Sequence, residues 1–167
     1  GVNQITIHTD ANWAGDKVNR KSTSGGVVQI GKHFVKSWSK NQSLIALSSA
    51  ESELYACVKA TAEGLGIMSM LADWGRCYTG EVKADASAAL GIISRRGLGK
   101  VRHLDTSFLW IQEIKAKRSI EFSKVLGASN TADLMTKHLA YAVMDKHFSE
   151  LQLRRNQERP SAASKLK

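Results

Sequence analysis

The sequence lacks the marks of a membrane-spanning or secreted protein. No apolar run approaches the roughly 20 residues that a membrane span requires, and no basic-then-apolar leader stands at its start. Its two cysteines, Cys57 and Cys77, lie far apart and match no metal-site spacing, so reduced thiols in a cytosolic or nuclear compartment are expected. The single proline, Pro160, falls in the C-terminal tail, and no segment repeats. There is no initiator methionine before Gly1, and the expectation is a piece of a longer polypeptide. Negative charge is also scarce: 15 acidic residues face 24 lysines and arginines, a net charge of +9. An excess of that size points to a polyanionic partner, nucleic acid before an anionic membrane. The basic tail (Arg154, Arg155, Arg159, Lys165, Lys167) has no apolar face to seat it in a lipid surface, so no membrane partner is expected.

What is present suffices for one domain. The 167 residues, 43% hydrophobic, can bury a real core. Gln4 to Asp10 alternates as a strand, with Ile5 and Ile7 on one face and Thr6, His8 and Asp10 on the other. Gly26 to Ile30 and His33 to Ser39 flank a Gly31–Lys32 turn, the pattern of a hairpin. Leu54, Val58, Ala62, Leu65 and Met68 form a helical stripe within Ser48 to Leu71, and Ser48 with Glu51 forms a capping box that fixes its start. Gly64 and Gly66 predict a bend or break in that helix.

A strand over Val82 to Asp85, a helix over Ala86 to Ser94, a helix over Leu104 to Lys117, a strand over Ser119 to Leu126 and a helix from Asn130 to about Phe148 complete the pattern. Domain boundaries of 1–150 and a disordered basic tail of 151–167 are expected. A meander followed by alternating strands and helices predicts an α/β domain with one mixed sheet covered on both faces.

Four carboxylates stand out by placement. Asp10 and Asp85 each end a strand. If those strands are parallel neighbours, ~4.8 Å apart, the two charges converge at one sheet edge and need a hard cation such as Mg²⁺ between them. Glu51 is explained by the cap, whereas Glu53, in the second turn beside Leu54, is not. Asp133, three residues after Asn130, fits a ligand or a helix-dipole partner equally well. Asp10 taken alone fits a turn aspartate better than a ligand.

The segments His8-Thr-Asp-Ala-Asn-Trp-Ala-Gly15, Arg20-Lys-Ser-Thr-Ser-Gly25, Ala46-Leu-Ser-Ser-Ala-Glu-Ser-Glu53, Asp85-Ala-Ser-Ala88 and Ala132-Asp-Leu-Met-Thr-Lys137 occur in that order. Together, over roughly Ile5 to Leu139, they closely resemble the ribonuclease H domain at the end of the Pol polyprotein of copia-type LTR retrotransposons. The resemblance implies the ribonuclease H-like fold, a five-stranded mixed sheet of order 3-2-1-4-5 with strands one and four parallel. It implies a metal-dependent endoribonuclease that hydrolyses the RNA strand of RNA–DNA hybrids during reverse transcription, leaving a 5′ phosphate and a 3′ hydroxyl. It assigns Asp10, Glu53, Asp85 and Asp133 as the catalytic metal ligands. Two Mg²⁺ ions (or Mn²⁺), ~4 Å apart, are implied, one held by Asp10 and Asp133, the other by Asp10, Glu53 and Asp85.

The implied partners are an RNA–DNA hybrid and an upstream reverse transcriptase domain, and the implied setting is a cytoplasmic virus-like particle or the nucleus. The alternative is a catalytically inactive module of the same fold that grips hybrid or braces a reverse transcriptase. A DNA-cutting relative of the fold is a further rival.

Two departures from the pattern stand out. The loop Leu126-Gly-Ala-Ser-Asn130 lacks the histidine that cellular ribonucleases H carry there, which bears on turnover. Ala84 also stands where threonine or cysteine is commoner.

For holding the hybrid, two basic loops are candidates: Lys17, Arg20 and Lys21 near Asp10, and Arg95, Arg96, Lys100 and Arg102 after the fourth strand. Ser22, Thr23 and Ser24 are candidates for bonds to 2′-hydroxyls or to their own turn. His103 with Asp105 is expected to cap the following helix, the four tryptophans to serve core or interface, and His8 to support the site.

Overall fold

The computed structural model describes residues 3–97 and 109–154. The chain runs β1 (Gln4–Asn12), β2 (Thr23–Ile30), β3 (His33–Asn41), α1 (Ser49–Asp73), β4 (Thr79–Ala84), α2 (Ser87–Ser94), α3 (Trp110–Ala116), β5 (Ile120–Lys124), a 3-10 turn (Gly127–Ser129), α4 (Asp133–Thr136) and α5 (Tyr141–Glu150). One sheet of order β3-β2-β1-β4-β5 results. β1 pairs antiparallel with β2 and parallel with β4, as the resemblance implied.

Alternation along β1 sets the two faces. Ile5 and Ile7 are fully buried and, with Val28, Val82 and Ile120, meet α1 through Ala60 and Leu71. α1 begins as expected, with the Ser48 hydroxyl accepting from Glu51 N at 3.2 Å. The return half of the cap falls one residue earlier than a capping box places it: Glu51 Oε2 accepts from Leu47 N at 2.8 Å.

Two expectations for this helix are corrected. It runs unbroken for 25 residues, because Gly64 faces the sheet and a Cβ there would lie 2.8 Å from Ile7 Cδ1. The glycine permits close approach where a break was expected. The buried stripe is also rotated: Leu54, Cys57, Ala60, Thr61 and Gly64 are buried, whereas Ala62 is exposed and Val58, Leu65 and Met68 are only partly covered. Small residues let the helix axis lie close to the sheet, and the larger ones flank them.

The expected helix over 130–148 is likewise two pieces. α4 ends where Lys137 takes extended backbone (φ −125°, ψ 150°), and α5 starts four residues later. α4 packs on the sheet face opposite α1. A Cβ on Gly25 would fall 2.6 Å from Thr136 Cγ2 and 2.8 Å from Met135 Cβ. Gly25→Ala should therefore lift α4 off the sheet and cost about 1–3 kcal/mol, measurable as a lower Tm. An unchanged Tm would show that α4 is not held there.

α5 buries His147, and Leu151 just beyond it is also buried, so the fold continues slightly past residue 150. Of the four tryptophans, Trp38 and Trp110 pack on the core, while Trp74 is exposed and Trp13 half-exposed, its Nε1 donating to Ala46 O at 3.0 Å. Both cysteines are free. No helix among the described residues is long and apolar enough to cross a membrane. The helix start at 104–108, His103, Asp105 and the tail from 155 onward lie outside the described residues.

Candidate metal centre

Parallel pairing of β1 with β4 brings the first two carboxylates together. The last paired residues are His8 and Lys83, and Asp10 and Asp85 each follow by two, on the same face. Asp133 opens α4, which the Gly25 contact seats against β1 and β2. Asn130, fully buried, fixes that approach: its Nδ2 donates to Thr9 O at 3.0 Å, its Oδ1 accepts from Ala132 N at 3.3 Å, and its carbonyl accepts from Asp133 N at 3.1 Å. As a result Asp10, Asp85 and Asp133 each place one oxygen within 4.8 Å of the others.

Glu53, on α1, is not among the three carboxylates gathered within 4.8 Å, but it lies close enough for the charges of Asp10 and Asp85 to act on it. Its Oε1 accepts from Ala11 N at 3.2 Å, and its Oε2 is buried with no hydrogen-bond partner among the described residues. Burial, and then the charges of Asp10 and Asp85, push its carboxyl up from 4.5 to about 8. Burial followed by the Asp10 charge raises Asp85. Asp133 is raised as well, by burial first, with the Lys137 bond opposing and the Asp10 charge adding. Beneath Glu53, one turn on, the Cys57 thiol is held above its ordinary range by burial and by the charges of Glu53 and Asp85.

Negative charge is thus concentrated where burial penalises it, and Lys137 brings a cation into direct contact with two of the clustered carboxylates. Lys137 Nζ donates to Asp133 Oδ1 at 2.8 Å and to Asp10 Oδ1 at 3.2 Å, and the Thr136 hydroxyl donates to Asp10 Oδ2. Burial works against the ammonium, but the Asp133 bond and the charges of Asp10 and Asp133 outweigh it and hold Lys137 above the usual lysine range.

Sequence reasoning did not single out Thr136, Lys137 or Asn130 as parts of the site. The available signal was the i,i+4 spacing of Asp133 and Lys137. His8 lies on the Asp10 face, buried, and burial followed by the Lys83 charge lowers it to about 4, so it is neutral at pH 7.

The candidate contact residues divide. Lys17 and Arg20 are exposed and Lys21 half-buried on the loop joining β1 to β2. Ser22 and Ser24 are buried and face inward: Ser22 Oγ accepts from Ala14 N at 3.0 Å, and Ser24 Oγ accepts from Gln42 Nε2 at 2.9 Å. Thr23 donates to Asn41 Oδ1 at 2.9 Å. Turn and hairpin chemistry therefore occupies all three hydroxyls. Arg95 is half-buried and Arg96 exposed, while Lys100 and Arg102 lie outside the described residues.

No family model matches the chain. By sequence it is 30% identical over 135 residues to the retrovirus-related Pol polyprotein from transposon TNT 1-94 of Nicotiana tabacum, covering 78% of this chain and 10% of that one. The corresponding polyprotein from transposon RE1 of Arabidopsis thaliana is 26% identical over 158 residues, covering 89% and 10%. The chain therefore spans about a tenth of the length of these curated relatives.

Among solved structures, LC11-RNase H1, isolated from compost by a metagenomic approach, superposes with a TM-score of 0.58 at 23% identity, covering 87% of this chain and 98% of that one. The same protein in complex with RNA/DNA hybrid gives 0.55 at 22%, covering 78% and 92%. The N-terminal RNase H domain of rv2228c from Mycobacterium tuberculosis gives 0.57 at 18%, covering 87% and 96%. The chain is a homologue of the retrovirus-related Pol polyproteins of plant transposons, built on the ribonuclease H fold.

Proposed function

We propose that this chain is a divalent-metal-dependent endonuclease that hydrolyses the RNA strand of RNA–DNA hybrids during reverse transcription of a retrotransposon. The convergence of Asp10, Asp85 and Asp133 within 4.8 Å carries the proposal. Three clustered carboxylates, with Glu53 nearby carrying a buried oxygen that has no partner among the described residues, fit hard cations with oxygen ligands, Mg²⁺ or Mn²⁺. Asp10, Glu53, Asp85 and Asp133 would hold them. When bound, divalent ions supply Lewis acidity at the scissile phosphate and neutralise charge developing there.

The protein contributes position. The Ala11 N–H orients Glu53, Asn130 ties Asp133 to β1, and parallel strand pairing aligns Asp10 with Asp85. In the hydrolysis, the water oxygen bonds to phosphorus as the bond to the 3′ oxygen breaks. The products carry a 5′ phosphate and a 3′ hydroxyl. The hybrid as substrate is supported by the solved complex of LC11-RNase H1 with RNA/DNA hybrid. A reverse transcriptase domain as partner is supported by the Pol polyprotein homologues.

A labelled hybrid, duplex DNA and duplex RNA incubated with Mg²⁺, with and without chelator, test the proposal. Cutting of the hybrid alone, stopped by the chelator, is expected. Equal cutting of duplex DNA would contradict it.

Exposed Lys17 and Arg20 are the strongest candidates for phosphate contacts, together with Arg96. Reversing both Lys17 and Arg20 to glutamate should weaken hybrid binding. The slope of log affinity against log salt should fall by about one unit for each phosphate no longer neutralised. Fluorescence anisotropy across a KCl series measures that slope, and an unchanged slope would remove this loop from the interface.

A further inference from the structure

The ammonium of Lys137 lies against the oxygens that a divalent cation would need. It bonds Asp133 Oδ1 at 2.8 Å and Asp10 Oδ1 at 3.2 Å, and it makes no other bond among the described residues. Thr136 engages the remaining oxygen of Asp10, which is only 1% exposed. The lysine can leave. Its side chain is 41% exposed, its backbone is extended just past the end of α4, and His138 beyond it is exposed.

A Mg²⁺ ligated by Asp10 and Asp133 would stand about 2.1 Å from their oxygens, too close for an ammonium to keep its bonds to both. Without either cation, the three clustered carboxylates would face one another with only the more distant charge of Lys124 to offset them.

We propose that Lys137 is a built-in counter-ion that occupies the carboxylate cluster until a divalent cation displaces it, and so sets the metal concentration at which the site loads. The inference rests on reading the cluster as a divalent-metal site. It assigns Lys137 a positioning role in the metal-free protein and an opposing one during loading. Lysine suits this better than arginine, because its compact charge rides on a flexible stem and can withdraw without disturbing the backbone.

The test is a Mn²⁺ titration of the full chain, with free Mn²⁺ followed by electron paramagnetic resonance and Tm recorded with and without the ion. The variants are Lys137→Gln, Lys137→Met and the control Lys124→Gln. Lys124 lies near Asp85, but its Nζ bonds the Ser87 hydroxyl at 2.6 Å instead of the cluster.

Lys137→Gln and Lys137→Met should bind Mn²⁺ on the order of tenfold tighter than wild type. Their Tm should be lower without metal and should meet that of wild type at saturation. Lys124→Gln should change affinity less than about threefold, since its charge is farther away and screened. If Lys137→Met does not fold without metal, the glutamine variant decides, because its side chain can still bond Asp133.

Unchanged or weaker Mn²⁺ binding by the Lys137 variants overturns the inference and leaves the metal-site reading intact. An equal gain in Lys124→Gln overturns it too, since net charge would then suffice. Absence of Mn²⁺ binding in wild type and all variants overturns the metal-site reading and the inference with it.

Discussion

Asp10→Asn should abolish the proposed hybrid cleavage while leaving hybrid binding close to wild type. Asp10 is the carboxylate around which the others gather: it lies within 4.8 Å of Asp85 and Asp133 and adds to the upward shift of Glu53, Asp85 and Asp133. Asparagine keeps the shape and an oxygen for Lys137 but removes the charge that attracts a divalent ion. Losing several kcal/mol of charge stabilisation lowers the rate by about three orders of magnitude or more. Binding should stay within about threefold, because no phosphate-contacting cation is touched. Single-turnover cleavage and anisotropy on the same preparation measure the two effects. Retained cleavage would remove Asp10 from the reaction.

Glu53→Gln is expected to separate activity from stability. In the metal-free protein the Glu53 carboxyl is raised to about 8, chiefly by burial. Between the ordinary value of 4.5 and about 8 the folded state keeps its proton while the unfolded state has lost it. The unfolded state then binds fewer protons, so stability falls as pH rises through that window and levels off above it. Asp85 and Asp133, also raised, act in the same direction.

Glutamine never ionises. In the absence of metal Glu53→Gln should match wild type near pH 4.5 and exceed it by on the order of 3 kcal/mol at pH 8.5. That corresponds to roughly 5–10 °C in Tm. With Mg²⁺ present the gain should shrink, because the ion favours the carboxylate, and cleavage should be severely reduced. Thermal unfolding from pH 4.5 to 9 with chelator measures the effect. A variant less stable than wild type at pH 8.5 would mean that Glu53 is not a strained carboxyl.

The pattern of this site was legible where it depends on chain order. Strand alternation placed Asp10 and Asp85 at strand ends, and the family resemblance, through its parallel pairing of strands one and four, implied that they lie side by side. The cap at Ser48 accounted for Glu51 and so left Glu53 unexplained, and Glu53 has a buried oxygen with no hydrogen-bond partner among the described residues. Bonds made across the fold were less legible. Those of Thr136 and Lys137 to Asp10 span 126 and 127 residues, and nothing local announces them. Gly64 reads as a helix breaker by propensity, yet Ile7 and Ile120 across the interface make it a point of close approach. Periodicity sets the stripe of α1 one position off because it favours large apolar residues, whereas close packing on the sheet selects Cys57, Ala60 and Gly64. Ser22 and Ser24 have the composition of nucleic-acid contacts, but burial turns them inward.

The most direct measurement is a crystal of the protein soaked in Mn²⁺, with data collected at the manganese edge. Anomalous peaks among Asp10, Asp85 and Asp133, one of them ligated by Glu53 Oε2, with Lys137 withdrawn from Asp10, are the predicted result. A cluster that stays free of manganese at saturating concentration, with the Lys137 bonds to Asp10 and Asp133 intact, would contradict the account.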